Sequence, residues 1–432
     1  MPVLPLLIFL VSLGLRLWDV THPINVDEAL WMFRGATFMR RLLEGDLAGT
    51  YLRHHPGVTN MWLIGTGHLI SSGLHQLFPQ LLGITQSPFG HSCFHEYSCP
   101  ISLWIAPRVV QGLITSTCMV AFYVLSKKLF GQAIALCATG LLLVEPFFLA
   151  YQRFITTDAL QADFSILAVL LLMLYLQEKG RWWQLVMAGI CWGLAIASKI
   201  PALFIGGAAW LWIVVIELGW WQTRFPRRGW LRQIRDLFLW GLVALAVVVT
   251  LWPALWVNPV ETLQKLYADV AFESIRGNLF FLGEYTDKPG LLFYPLILLY
   301  RLSPILQLGI VACLVALVMP KSSLKRKSEL WGLTIVTLVV LGLLSTSDTK
   351  VGRYIVVVIP ELAILAAFGY GQIWNWLVKL GDRIKSSSSS AKQSLSGDQH
   401  PQFRQLSIFL IVIQIVFLVG LCPIAAPPQT GL

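Results

Sequence analysis

Charge is what this chain has least of. Asp, Glu, Lys and Arg make up only 12% of its 432 residues against 56% hydrophobic, and the mean hydropathy is +0.70. That balance lies far outside the range of soluble globular domains and excludes a water-soluble fold. Cysteine is sparse as well. The seven are too few and too scattered for a disulfide scaffold, and Cys118, Cys137, Cys191, Cys313 and Cys422 fall inside apolar stretches. There is no Gly-Lys-Ser/Thr phosphate loop, no His-Glu-x-x-His and no Gly-x-Ser-x-Gly elbow, so ATP-driven transport and serine hydrolysis lack a basis in the sequence. Neither an internal repeat nor a separate soluble domain is visible.

What remains is apolar sequence in long runs. A crossing of the bilayer takes about 20 apolar residues. Stretches near 2–17, 101–125, 131–150, 159–176, 184–198, 201–218, 236–256, 291–319, 330–346, 354–378 and 406–424 qualify, some of them short. The expected fold is an all-α polytopic membrane protein of about eleven transmembrane helices, forming a single domain over 1–432. The first stretch lacks a basic leader and a small-residue cleavage site, which predicts a retained helix.

The positive charge orients the chain. With the N-terminus inside, 18 of the 32 Lys and Arg fall on inside loops, so the net charge of +10 is mainly a topology signal and no nucleic-acid partner is expected. Two outside segments are long, 18–100 and 257–290. The first contains apolar-periodic stretches from Ala29 to Leu43 and from Val58 to Leu77, expected as helices lying at the membrane interface. The inside segment 379–405, with serines at 386–390, is expected as a flexible linker.

Scarce ionisable groups in such a chain mark candidate chemistry. Asp27 and Glu28 follow the first span. Asn25 with Glu28 resembles a capping box, and Asp27 in a first turn would complement the helix dipole. Neighbours on a helix point about 100° apart, so Glu28 can cap while Asp27 faces a cavity. The run Tyr151–Asp158 ends at the fourth span, where Thr157 or Asp158 could serve as an N-cap. Arg16, Arg108, Glu145, Asp163, Lys199, Arg301, Arg353 and Glu361 lie at or inside span ends, where snorkelling or ion pairing explains a single charge well. In the expected topology, however, Arg108, Arg153, Lys199 and Arg353 all lie toward the outside face, an arrangement suited to a phosphate at the membrane surface.

The segment His91–Cys99 offers metal-ligating atoms, but its spacing matches no standard zinc pattern; a disulfide between Cys93 and Cys99 is favoured over a metal or no special role. His54-His55-Pro56 could supply a ligand, or Pro56 could simply open a helix.

In chain order, these residues resemble the GT-C glycosyltransferases, in particular the protein O-mannosyltransferase and aminoarabinose-transferase-like branch. The acidic pair Asp27-Glu28 is similar to that of the family's first external loop. His55-Pro56 resembles its His-Pro-Pro segment, with Gly57 in place of the second proline. Pro107-Arg108, Tyr123 and Lys127–Gly131 look like its second span and the basic turn that follows. Arg153–Asp158 resembles its Arg-x-x-x-Thr-Asp motif, Gly193–Lys199 its Gly-Leu-x-x-x-x-Lys segment, and Arg353-Tyr354 with Pro360 its Arg-Tyr segment. The long stretch between His55 and Arg108 departs from the simplest pattern.

The resemblance implies transfer of a sugar from a polyprenyl-phosphate donor to a protein, lipid or glycan acceptor on the external face, with inversion. Asp27 is then the expected general base, with Glu28 and Asp158 completing the catalytic acids. Arg108, Arg153, Lys199, Arg353 and Tyr354 are the expected donor-phosphate site. Asp158 could orient the acceptor or help bind a divalent cation. The competing class is a transporter or flippase of a lipid-linked saccharide, which would often show interrupted helices near the midplane and repeat symmetry; a subunit that keeps the fold without activity is a third. The expected location is the cell membrane, multi-pass, in contact with membrane lipids, with a bacterial plasma membrane favoured over endoplasmic reticulum.

Overall fold

The structure, a computed structural model, describes residues 3–21, 26–53, 56–77, 101–177, 179–219, 225–275, 279–319, 324 and 326–388. It is built almost wholly of helices: α1 (Val3–Leu17), α2 (Val26–Glu44), α3 (Val58–Leu77), α4 (Ser102–Phe130), α5 (Gln132–Leu143), α6 (Pro146–Arg153), α7 (Thr157–Leu176) and α8 (Trp182–Ser198). There follow α9 (Phe204–Leu218), α10 (Trp230–Leu251), α11 (Pro259–Ile275), α12 (Phe293–Arg301), α13 (Pro304–Val318), α14 (Lys327–Ser345) and α15 (Ile359–Ser388). Short 3-10 segments at Ile200–Leu203 and Gly352–Val358 lead into α9 and α15.

Ten of the eleven expected spans coincide with a helix or a helix pair, and 406–424 lies outside the described residues. By length and composition, six described helices can cross a membrane, or up to seven if a bent pair counts as one span, with Val3–Leu17, Trp182–Ser198 and Pro304–Val318 shorter but apolar. Two expected spans are interrupted. The 131–150 stretch bends by 66° between α5 and α6, and the 291–319 stretch breaks between α12 and α13. Both breaks precede a proline. Pro146 and Pro304 open their helices, and Glu145 and Ser303 before them are extended, as the ring requires. Ser303 caps α13, accepting from the Leu306 N–H, and its own N–H and hydroxyl donate to the Glu145 carboxylate at 2.9 and 2.6 Å. The two breaks therefore satisfy each other's polar groups, as a low-dielectric setting demands.

Burial separates inner from outer helices. The α7 helix is almost entirely enclosed, its first turns carrying buried polar residues and the rest apolar ones, whereas α10 turns most of its surface outward. Where helices approach closest, side chains vanish. A Cβ on Gly369 of α15 would lie 1.8 Å from the Gly309 carbonyl oxygen of α13, so only glycine lets these backbones touch.

Both expected helices of the first external segment are present as α2 and α3, and Gly45 ends α2 at a φ of +78°. The 257–290 segment is more ordered than a loop. It holds α11 and an antiparallel hairpin, Leu279–Phe281 with Glu284–Thr286, turned by Leu282 and Gly283 at positive φ. The expected linker at 379–405 begins too early, because α15 runs on through Ser388; the rest of it lies outside the described residues.

Candidate active site

Breaks in helices position every charged group of the site. Asp27 lies in the first turn of α2. Asp158 lies in the first turn of α7, just after an extended step at Phe154–Thr156. Lys199 is the extended residue that ends α8, where Pro201 prevents the helix from running on. Arg353 and Tyr354 ride on the 3-10 segment before α15; Pro360 in the first turn of α15 has no N–H to donate to a carbonyl of the preceding turn.

These four breaks meet. Lys199 Nζ lies 2.6 Å from Asp158 Oδ1 and 3.8 Å from the centre of the Tyr354 ring. Arg353 bridges the two acids, hydrogen-bonding Asp27 Oδ2 through Nη1 and lying 3.6 Å from Asp158 Oδ2 through Nε. The cluster is graded in exposure. The side chains of Lys199 and Asp158 are 1% and 4% exposed, those of Arg353 and Asp27 26% and 34%, so Asp27 stands at the open side and Lys199 at the closed one. Burial pushes the Lys199 ammonium down to about 8, with Arg353 adding to the effect and Asp158 opposing it. Among the described residues, Arg353 Nε and Thr156 Oγ1 are buried without a hydrogen bond.

Glu28 does not cap. Its carboxylate is buried and forked onto Arg108, which donates from Nε at 2.8 Å and Nη2 at 2.7 Å, and it accepts the Ile155 N–H at 3.1 Å. Arg108 also donates to the Val20 carbonyl at 2.5 Å. Asn25, the expected cap, lies outside the described residues. A buried guanidinium requires such a matched fork of opposite charge. The expected N-cap of α7 shifts. Thr156 takes that position, without a side-chain cap bond, which leaves Thr157 and Asp158 inside the helix.

The sequence-predicted residues thus divide. Asp27, Asp158, Lys199, Arg353 and Tyr354 come together. Glu28 and Arg108 form a separate buried pair behind them. Arg153 reaches away from the cluster to the Trp18 carbonyl, fastening the end of α6 to the turn after α1. Cys93 and Cys99, with His54, His55, His91 and His95, lie outside the described residues. Among the described residues no three His, Cys, Asp or Glu side chains gather as metal ligands. At Asp158 both oxygens face cations, so this donor set does not fit a divalent ion.

One contact at the mouth was not foreseen. The Tyr51 hydroxyl donates to Asp269 at 2.6 Å and its ring stacks on Trp252 at 5.9 Å, tying the first external segment to α11. Nothing in sequence spacing links residues 218 positions apart.

Comparison with known proteins extends the picture. The model of the dolichyl-phosphate-mannose-protein mannosyltransferase family matches residues 103–253, a stretch that includes Asp158 and Lys199 but neither Asp27 nor Arg353. No curated protein sequence matches the chain. Among solved structures, ArnT from Cupriavidus metallidurans bound to undecaprenyl phosphate superposes with a TM-score of 0.58 at 17% identity, over 98% of this chain and 70% of that one. The archaeal oligosaccharyltransferase AglB from Archaeoglobus fulgidus, in complex with an inhibitory peptide and a dolichol-phosphate, gives 0.52 at 14% identity, over 96% and 54%. At these identities the likeness is one of fold, and the fold is of the GT-C type.

Proposed function

We propose that this chain is a multi-pass membrane glycosyltransferase that moves a sugar from a polyprenyl-phosphate donor to a hydroxyl acceptor at the external face of the cell membrane. The observation that carries this reading is Arg353, shared between Asp27 and Asp158 with the Lys199 ammonium behind. Two fixed cations beside a semi-exposed carboxylate are what displacement of a phosphate by a hydroxyl needs. ArnT and AglB, whose folds this one shares, were solved with polyprenyl phosphates bound, which supports the same donor class here.

In this mechanism the donor phosphate sits against Arg353 and Lys199. It competes with Asp27 for the Arg353 guanidinium, so a seated donor releases the Asp27 carboxylate. Asp27 then takes the proton of the acceptor hydroxyl while its oxygen bonds to the anomeric carbon. The bond from that carbon to the phosphate oxygen breaks, and the electron pair leaves with the polyprenyl phosphate, whose charge Arg353 and Lys199 stabilise. A single displacement inverts the anomeric centre. Asp158 holds Lys199 and Arg353 in place. Glu28 and Arg108 act as struts in this scheme, and phosphate binding is assigned to neither Arg108 nor Arg153.

A flippase would move the same lipid without making a bond. The interrupted helices that such a protein often shows are here closed on each other through Glu145 and Ser303, which favours the enzyme. The deciding experiment incubates membranes with labelled polyprenyl-phosphate sugars and follows label into protein, lipid and glycan. Asp27→Asn should abolish transfer with expression and insertion intact. Label that crosses the bilayer still attached to its lipid, with none transferred, would overturn the reading.

A further inference from the structure

The corner between α6 and α7 brings Asp158 to Lys199 and Arg353, and that corner is held by a side chain the mechanism does not use. Phe154 and Thr156 are extended there, with φ of −120° and −140°, so the backbone groups between the two helices have no helical partners. Gln111, itself buried on α4, takes the acceptors: its Nε2 lies 3.2 Å from the Gln152 carbonyl oxygen and 2.7 Å from that of Phe154. Both partners can only accept, so the amide must turn its nitrogen to them. One NH2 group with two protons matches two carbonyls.

The N–H of the same step is met from the same side of α4. Ile155 donates to Glu28 at 3.1 Å, and Glu28 is forked onto Arg108, three residues before Gln111 and so a neighbour on the helix surface. The corner is braced from inside as well: the Gln152 side chain donates to Asp163 Oδ1 of α7 at 3.1 Å and accepts from Arg16 of α1 at 3.4 Å. Gln152 fixes the angle between the helices, whereas Gln111 fixes the path of the backbone through the turn. In an unbroken helix the Phe154 carbonyl would accept from the Asp158 N–H. Gln111 occupies that carbonyl instead, so α7 starts afresh, with Asp158 in its first turn and 2.6 Å from Lys199.

We propose that Gln111 is a positioning residue of the donor site, holding the chain broken at Phe154–Thr156 so that Asp158 meets Lys199. This rests on the glycosyltransferase reading for what the site is used for, but the placement of Asp158 can be tested without turnover. Once Gln111 lets go, the Phe154 carbonyl is free to accept from the helix, the first turn of α7 winds back, and Asp158 leaves the ammonium. Lys199 is then opposed by burial and by the like charge of Arg353, with only the weaker pull of Asp27 and the Tyr354 ring beside it, so it gives up its proton below its present value of about 8.

Wild type and Gln111→Met, which fills the same space without a donor, are compared in nanodiscs. Hydrogen exchange read by mass spectrometry should rise in peptides covering 152–158 and stay the same in α14. Carbamylation of Lys199 by cyanate, which takes only the neutral amine, should show its titration midpoint falling by about one pH unit. The donor KM for labelled polyprenyl-phosphate sugar should then be raised about fivefold at about pH 8 and match the wild type about two units lower, where Lys199 is charged in both. A fault in packing alone would impair donor use equally at every pH; that result, an unmoved Lys199 midpoint, or unchanged exchange at the corner overturns the proposal. Should Gln111→Met not fold, Gln111→Asn replaces it, its amide falling one methylene short of both carbonyls; the same shifts are expected at smaller size, and the same three results count against them. If the wild type transfers no sugar, the glycosyltransferase reading fails by itself, and exchange and carbamylation alone decide whether Gln111 places Asp158.

Discussion

Removing the Glu28 carboxylate should be among the most damaging single changes in the molecule. The side chains of Glu28 and Arg108 are 0% and 2% exposed, so truncation leaves a guanidinium without its counter-ion in a medium that cannot solvate it. Breaking a buried pair from one side costs about 3–5 kcal/mol. The Ile155 N–H, which donates to Glu28 at 3.1 Å, is orphaned at the same time and adds about 1–3 kcal/mol if nothing replaces it. Glu28→Ala is therefore expected in the upper half of the first range, roughly three powers of ten in the folded-to-unfolded ratio. Replacing both partners with apolar side chains, Glu28→Leu with Arg108→Met, removes the stranded charge and should recover a large part of the loss. The assay is equilibrium unfolding in mixed detergent micelles for both single variants and the double variant, closed as a cycle. A coupling of about 2 kcal/mol or more is expected, near the upper end for residues in contact. Single variants that lose less than about 1 kcal/mol, or a double variant equal to the sum of the singles, would refute the assignment of a buried strut.

Other expectations follow from the same geometry. Arg353→Ala should raise the donor KM for a phosphate-bearing lipid far more than binding of the same lipid without phosphate, measured side by side; equal losses would remove Arg353 from the phosphate site. Because the Lys199 ammonium is held down to about 8, it loses its proton as pH rises through that value, and donor binding, which needs the charged form, should weaken by up to about tenfold per pH unit above it. A donor KM that stays flat between pH 7 and 9.5 would contradict this. Gly369→Ala should cost about 1–3 kcal/mol or more by forcing α13 from α15, while Gly342→Ala, with nothing within 4 Å of the new Cβ, should be close to neutral in the same thermal unfolding assay. Tyr51→Phe removes the bond to Asp269 and should speed hydrogen exchange across α11 with little change elsewhere.

The apolar runs were legible because a span announces itself in composition; ten of them correspond to helices here. Their interruptions were written in the sequence as well. Glu145-Pro146 and Ser303-Pro304 each place a proline inside an apolar run, a signal that length alone overrode. The grouping of Asp27, Asp158, Lys199 and Arg353 followed from topology, since all four were expected at one face, although the family model spans only two of them. Partner choice did not follow. Glu28 and Arg108 are 80 residues apart, and which charges meet depends on which helices pack, a fact that local spacing does not encode. Local spacing therefore offered Glu28 a cap and Arg108 a phosphate, but not the contact between the two. The order within 257–290 was missed for a different reason: a short hairpin and a partly exposed helix give weak periodicity beside the spans around them.

The contact between Arg353 and Asp27 joins positions 326 residues apart, and this has a consequence for how the protein is made. Chains emerge from the ribosome and enter the membrane N-terminus first. Asp27, Asp158 and Lys199 are therefore in place while Arg353 is still unsynthesised, and a nascent chain in the bilayer carries the acids and the buried amine without the guanidinium that bridges them. The last cation to arrive completes the cluster. Activity should thus switch on late and all at once during biogenesis, so that arrested or half-inserted chains would present the membrane with an inert bundle rather than a partly working transferase.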